Sequence, residues 1–464
     1  MKKPVLVKWC RRIFGFGLAP AMGVILLVAG TGRAMADTGT AVSGTTDSTK
    51  VVDTAKSVEM TTQSQSIWDQ KYLTGDWGGH RTDLENEGVT FDFSYINDLQ
   101  SDLTGNQTHH VTNFGRIRGS VTIDLQKMAD FDGKFFITGM WQFGKNLGAE
   151  LNTFTSPSSI AGYNSFRLDE AWYEQGLWDH KIRVKVGQIA AVNDFGQTGL
   201  FLMNDETGYS PNINFYPLQP FSPAGKPGVV LTFDPSGKDQ GFYVKGGAFT
   251  AYEDAYHPDT SGLDWYNDFN YGAAGTFEIG YNDSKGDYPG VYKLGVSFND
   301  ISRYNDLQTG EPKSGDFVAY FTYQKTVWRP LGADGKIDKD RGLDFLLQAL
   351  GAPEDRNPIR FEGLLGAVYN GPFESRPQDK VGLGVIFADA SSSLSSDNKN
   401  SGAPGSGSLG TQVALELSYQ YNPAPWFSIQ PDLQYIVNPV GPNNPQSSNR
   451  DNILIVGLRT ILRF

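Results

Sequence analysis

From Val89 onward the chain alternates apolar and polar residues. In "VTFDFSY", Val89, Phe91, Phe93 and Tyr95 share one face. In "RIRGSVTIDLQ", Ile117, Val121, Ile123 and Leu125 oppose Arg116, Arg118, Ser120, Thr122 and Asp124. "KIRVKVGQI" sets Ile182, Val184 and Val186 against Lys181, Arg183 and Lys185, and "FSIQPDLQYIV" sets Phe427, Ile429, Leu433 and Tyr435 against Ser428, Gln430, Asp432 and Gln434. Successive side chains of a strand point to opposite faces, so period-two alternation predicts half-buried strands. Sixteen such runs are expected, starting near residues 89, 113, 133, 165, 180, 227, 240, 270, 290, 315, 341, 358, 378, 410, 425 and 451.

Many of the runs are about ten residues long. Tilted near 45°, ten residues rise about 23 Å, close to the apolar band of an outer-membrane barrel. Connections after odd-numbered runs are long and those after even-numbered runs short, with one exception near residue 353. Short periplasmic turns and longer outer loops produce that asymmetry, and a soluble sandwich gives no reason for it. The expected fold is an all-β, 16-stranded antiparallel transmembrane β-barrel over residues 89–464. The final run, "ILIVGLRTILRF", reaches Phe464; it is expected to close the sheet beside the first strand. Its Phe464 ring then lies on the lipid face, and Arg459 and Arg463 point inward.

The N-terminus alters the charge and cysteine arithmetic. Lys2, Lys3, Lys8, Arg11 and Arg12 precede an apolar stretch and an A-x-A site at Ala34–Ala36, which predicts a signal peptide over 1–36. The Arg11–Arg12 pair also admits a twin-arginine signal, and uncleaved anchoring is the other reading. Removing six basic residues and no acids takes the net charge from −12 to −18. Such an acidic chain is a poor partner for nucleic acid. Cys10 leaves with the signal, so no disulfide or thiolate metal site is expected. Residues 37–66 read as a disordered Thr/Ser-rich leader. Residues 67–88 read as a periplasmic segment with a turn at Gly78–Gly79 and a short helix ending at Gly88.

"YLTGDWGGHRTDLENEGV", "RLDEAWYEQ" at Arg167, "VKVGQIAAVNDFG" at Val184, "WFSIQPDLQYIVNP" at Trp426 and "GLRTILRF" resemble the carbohydrate-selective porins of the OprB type, over about Trp68 to Phe464. The leader is outside that pattern. The resemblance implies a 16-stranded outer-membrane barrel that passes sugars, glucose being the usual example, and it favours a monomer. It also implies recognition of the terminal Phe464 by the barrel-assembly machinery.

Sugar passage needs hydrogen-bonding side chains that release what they bind. Alternation nominates Arg116, Arg118, Lys181, Arg183, Lys185, Arg360, Glu362, Glu416, Gln430, Asp432, Gln434 and Arg459 as lumen-facing, with Arg116 and Arg118 foremost. Any porin wall is charged, so bracing of the barrel is the competing role for each. The longest connection, about Ala190 to Lys226, is the third outer loop. Its Phe195, Phe201, Leu202, Tyr209, Phe215 and Tyr216 argue against disorder. It is expected to fold into the lumen and narrow it, the alternative being a lid over the mouth.

"GSGSLG" at Gly405–Gly410 imitates a nucleotide loop but is followed by the strand "TQVALELSY", so it reads as a flexible outer loop. "DGKIDKD" at Asp334 lacks the calcium-loop spacing. Neither G-x-S-x-G nor H-E-x-x-H occurs, so neither enzyme activity nor a cofactor is expected. Two rivals to a sugar channel are a general diffusion porin without a sugar site and a barrel plugged by its long loop.

Overall fold

The computed structural model describes residues 66–105, 109–151, 153–158, 160, 162, 164–197, 224–251, 261–263, 272–301, 304–401, 407–440 and 451–464. The expected signal peptide, 1–36, and the expected leader, 37–66, lie outside these, apart from Ser66. So does 198–223, most of the third outer loop.

The first half of the wall comprises β1 (Val89–Asp102), β2 (Val111–Asp124), β3 (Gly133–Gly144), β4 (Ser165–Leu177), β5 (Ile182–Ile189), β6 (Lys226–Phe233), β7 (Gly241–Thr250), β8 (Ala273–Asp283) and β9 (Gly290–Asn299). A two-residue pair, β10 (Tyr304–Asn305) and β11 (Pro312–Lys313), sits in the following outer loop. The wall resumes with β12 (Asp316–Trp328), β13 (Gly342–Gly351), β14 (Ile359–Asn370), β15 (Lys380–Ala390), β16 (Thr411–Ala424), β17 (Phe427–Val437) and β18 (Ile453–Arg463). Each wall strand pairs antiparallel with its neighbours, and β1 pairs with β18 from Ser94↔Arg463 to Asp102↔Ile455. The sheet is closed, so no edge is left to pair with another chain. Every wall strand begins within three residues of the position that alternation predicts.

One face of each strand is apolar and exposed. Ile117, Ile137, Leu231, Leu294, Leu383 and Leu433 all lie on the outside of the wall. The opposite face is buried, and its character changes around the barrel. Val318, Leu346, Leu364, Ile386 and Ala414 form an apolar lining on β12–β16, and Leu147 and Leu151 of the second outer loop belong to the same cluster. On β1, β2, β16, β17 and β18 the inward positions include Asp98, Gln100, Arg116, Glu416, Gln430, Asp432, Gln434 and Arg459.

The segment before the barrel has the expected turn and helix. Gly78 and Gly79 hold positive φ, the helix runs His80–Asn86, and Gly88 (φ +97°) leads into β1. A side chain at Gly88 would strike the Asp124 carbonyl. Ahead of Gly405–Gly410, the same outer loop contains a helix over Ser392–Asn400 that the alternation pattern did not assign. Ser391 caps it, accepting from Leu394 N–H at 3.1 Å, and Leu394 is buried beneath it. A polar, serine-rich run offers no helical apolar stripe, so only the cap residue could have announced it.

Candidate functional site in the lumen

The register brings the polar residues of four neighbouring strands together. Arg459 lies opposite Asp98 on one side and Gln430 on the other. Asp432 lies opposite Gly457, and Glu416 opposite Gln434. Arg459 Nε and Nη2 each donate to Asp98, both at 2.7 Å, and both side chains are 0% exposed. Two parallel hydrogen bonds fix the guanidinium plane and neutralise both charges. Gly457 has no side chain, and the Asp432 carboxylate occupies the vacated space; a Cβ there would collide with Asp432 Oδ1. Gln434 Nε2 donates to Asp432 Oδ2 at 2.8 Å, and Ser418 Oγ donates to Glu416 Oε1 at 2.6 Å.

The second outer loop, 145–164, descends onto this cluster. Ser158 Oγ donates to Asp98 Oδ2 at 2.6 Å, and Gln100 and Gln434 both donate to the Pro157 carbonyl at 2.8 Å. Gln142 Nε2 reaches the Ile160 carbonyl at 3.0 Å, and Gln412 Nε2 reaches Thr155 Oγ1 at 2.7 Å. Side chains from β1, β3, β16 and β17 thus satisfy a loop that has left its own strands, as buried backbone groups require. Expectation had centred on the third loop and missed this one.

The stem of the third outer loop also runs inward. Phe195 is buried. Lys185 Nζ lies 2.6 Å from Asp194 Oδ1 and 4.3 Å from the centre of the Trp172 ring. Lys245 Nζ donates to the Asp194 carbonyl at 2.7 Å, and Lys293 Nζ to the Gln197 carbonyl at 2.6 Å. Glu278 of β8 accepts from Gly196 N–H at 2.7 Å and from the Tyr243 and Tyr320 hydroxyls, each at 2.8 Å. Gln348 Nε2 donates to the Gly196 carbonyl at 3.2 Å. Five wall strands therefore hold residues 194–197.

Of the twelve residues nominated by alternation, Glu362, Glu416, Gln430, Asp432, Gln434, Arg459 and Arg116 are buried on the inward face. Arg118 follows Arg116 on that face, its Nε donating to Thr138 Oγ1 at 3.2 Å. Lys185 holds the third-loop stem, whereas Arg183 turns to Asp239 in the periplasmic turn at 2.5 Å. Two placements need correction. Lys181 is exposed in the turn before β5, because that strand starts one residue later than its pattern. Arg360 is also exposed: a bulge between Ile359 and Phe361 breaks the alternation, and its guanidinium pairs with Asp389 at 2.6 Å and Glu354 at 3.6 Å near the outer rim. Asp98, Gln100, Gln142, Tyr243, Lys245, Glu278, Lys293 and Tyr320 were not nominated. "INDLQSD", with Asp98, Gln100 and Asp102 at period two, carries the signal for the first two.

A closed sixteen-stranded barrel with an apolar exterior and an inward face crossed by polar clusters and inserted loops is an outer-membrane porin. This chain belongs to the OprB family of carbohydrate-selective porins, whose family model matches residues 108–464. Porin B of Pseudomonas aeruginosa is 25% identical over 439 residues, covering 84% of this chain and 90% of that protein. The putative porin QuiX of Acinetobacter baylyi is 24% identical over 441 residues, covering 87% and 96% respectively. The high-pH structure of Pseudomonas putida OprB superposes with a TM-score of 0.75 at 23% identity, covering 85% of this chain and 99% of that one, which shows the shared fold. The protein resides in the bacterial outer membrane.

Proposed function

We propose that the barrel passes carbohydrates, glucose and similar monosaccharides among them, by passive diffusion into the periplasm. The path is narrowed by the second outer loop together with the third. The observation that carries this reading is the polar cluster around the mutually neutralised pair Arg459 and Asp98, fastened to Pro157 and Ser158 of the second outer loop. Beside the carboxylates Asp432 and Glu416 it sets the neutral amide of Gln434 and hydroxyl of Ser418, groups that donate and accept directed hydrogen bonds. That suits an uncharged polyhydroxylated solute better than an ion. Arg116 and Arg118, two positions apart on the adjacent wall, are proposed to contribute guanidinium donors to the same path. Bonds from Lys185, Lys245 and Lys293 to Asp194 and Gln197 support an inward course for the stem of the third loop.

The test is flux into liposomes carrying the purified protein, with glucose compared against an amino acid and a salt of similar size. Faster glucose entry, diminished by replacing Arg116 and Arg118 with Ala, is the expected result. Equal rates for all three would establish a general diffusion porin and remove the sugar site. Absence of flux would mean that the inserted loops plug the bore.

A further inference from the structure

Just ahead of the barrel, residues 67–77 form no part of the wall, yet they pack against its outside. Trp68 stacks on Trp426 with ring centroids 5.7 Å apart, and Trp426 stacks on Phe427 at 5.5 Å. Trp426 Nε1 donates to the Ile67 carbonyl at 2.7 Å. At the other end of the segment Trp77 lies 6.1 Å from Phe91, which stacks on Phe93 at 6.5 Å. Phe427 shares its strand face with the exposed Leu433 and Tyr435, and Phe91 and Phe93 share theirs with the exposed Leu99. Both ring stacks therefore sit on the lipid side of the wall. They lie at the first residues of β1 and β17, which is the periplasmic end.

Having packed there, the segment leaves its largest apolar side chains uncovered. Ile67 is 47% exposed, Trp68 53% and Trp77 36%. Asp69, Lys71 and Asp76 give the stretch one cation against two carboxylates. Attraction to an anionic surface therefore does not explain the arrangement. Tryptophan and tyrosine concentrate at membrane–water boundaries, where an apolar body and a polar tip are both accommodated. We propose that residues 67–77 are an interfacial foot seated in the periplasmic leaflet, with phospholipid at the headgroup–acyl boundary as its ligand. The face continues the lipid-covered exterior of the wall, and its exposed rings extend that surface around the β1–β18 seam. Insertion of rings, with little help from charge, holds it there.

Single-cysteine labelling tests this, since Cys10 of the targeting segment is the only cysteine in the sequence. Ile67→Cys would carry an environment-sensitive fluorophore in the refolded mature protein. The vesicles would be phosphatidylethanolamine with phosphatidylglycerol, with and without a lipid bearing a nitroxide headgroup. Leu433→Cys on the outer wall and Lys336→Cys in an exposed turn are the references. The expected result is blue-shifted emission at position 67, with nitroxide quenching several-fold above that at position 336. Iodide protection should approach that at position 433, and high salt should change none of these. Iodide quenching equal to that at position 336 would place the segment in water and overturn the proposal. Cross-linking between copies through position 67 would overturn it in favour of self-association. Should Ile67→Cys fail to refold, Thr74→Cys on the same segment reads the same alternatives.

Discussion

Arg81→Met should loosen the closure of the barrel without dismantling the wall. A single nitrogen, Arg81 Nη2, donates to the Phe91 carbonyl at 2.9 Å and to the Phe464 carbonyl at 3.0 Å, so one side chain bridges the first strand and the end of the last. The guanidinium lies 3.3 Å from the centre of the Tyr72 ring and 4.9 Å from that of Trp77, and the residue is buried. Two hydrogen bonds from a charged donor contribute about 1.5–3 kcal/mol each. The lower end applies, because Nε and Nη1 are buried without hydrogen-bond partners and Glu85 stands off at 3.8 Å. Methionine retains much of the packing and forfeits the bridge, so a loss of about 3 kcal/mol is expected. Unfolding entropy of ~2.1 cal/mol/K per residue gives ~0.8 kcal/mol/K for the roughly 400 residues from Ser66 to Phe464, and hence a fall of ~4 °C in the midpoint. The assay is the temperature at which the fast-migrating folded band converts to the unfolded one on a detergent gel. Asp83→Ala in the same helix serves as the control. A midpoint unchanged for Arg81→Met, or lowered equally in the control, would refute the bridging argument.

Three further outcomes are expected. Asp98→Ala leaves Arg459 charged and buried without its carboxylate, which should cost about 3–5 kcal/mol, whereas Asp98→Leu combined with Arg459→Met should recover most of it. The same gel assay reads both, and a double variant no better than the single would remove charge compensation as the cause. Gly457→Ala should destabilise by about 1–3 kcal/mol through its collision with Asp432, and Asp432→Ala should restore the midpoint if that contact is responsible. In the outer loop, Thr309 and Gln308 N–H groups donate to Asp306 and hold its carboxyl below the usual carboxylate range. A depressed folded pKa gives stability that is present above the unfolded value and lost as pH falls through the folded one. Amide exchange across 304–313 should therefore stay protected at a pH near the ordinary Asp value and increase only below it; loss of protection well above that value would contradict the assignment.

The barrel and the bore differ in how far they can be read from the chain, and the reason is the range over which each is determined. A strand facing lipid on one side and the lumen on the other is specified by its own alternate residues, so Ile117 and Arg116 are sorted by nearest neighbours alone. The reading fails where the backbone changes phase. The bulge beside Ile359 turns Arg360 outward, and no property of "PIRFEG" distinguishes it from an unbroken strand. The course of a loop is less legible still. Residues 145–164 mix small polar residues with the buried Leu147, Leu151, Phe154 and Ile160, and what fixes their course is a set of partners on distant strands: apolar inward faces for those four, Asp98 for Ser158, and Gln100 and Gln434 for the Pro157 carbonyl. Asp98 and Ser158 are separated by 60 positions and Gln434 and Pro157 by 277, so neither pairing exists until the wall has closed. The apolar inward lining of β12–β16 is the local trace such insertions leave. An inward face that must meet water has no use for Leu346, Leu364 and Ile386, whereas one covered by protein does. Inward-facing aliphatic residues in a strand already known to be transmembrane therefore mark where inserted protein, and not water, covers the wall.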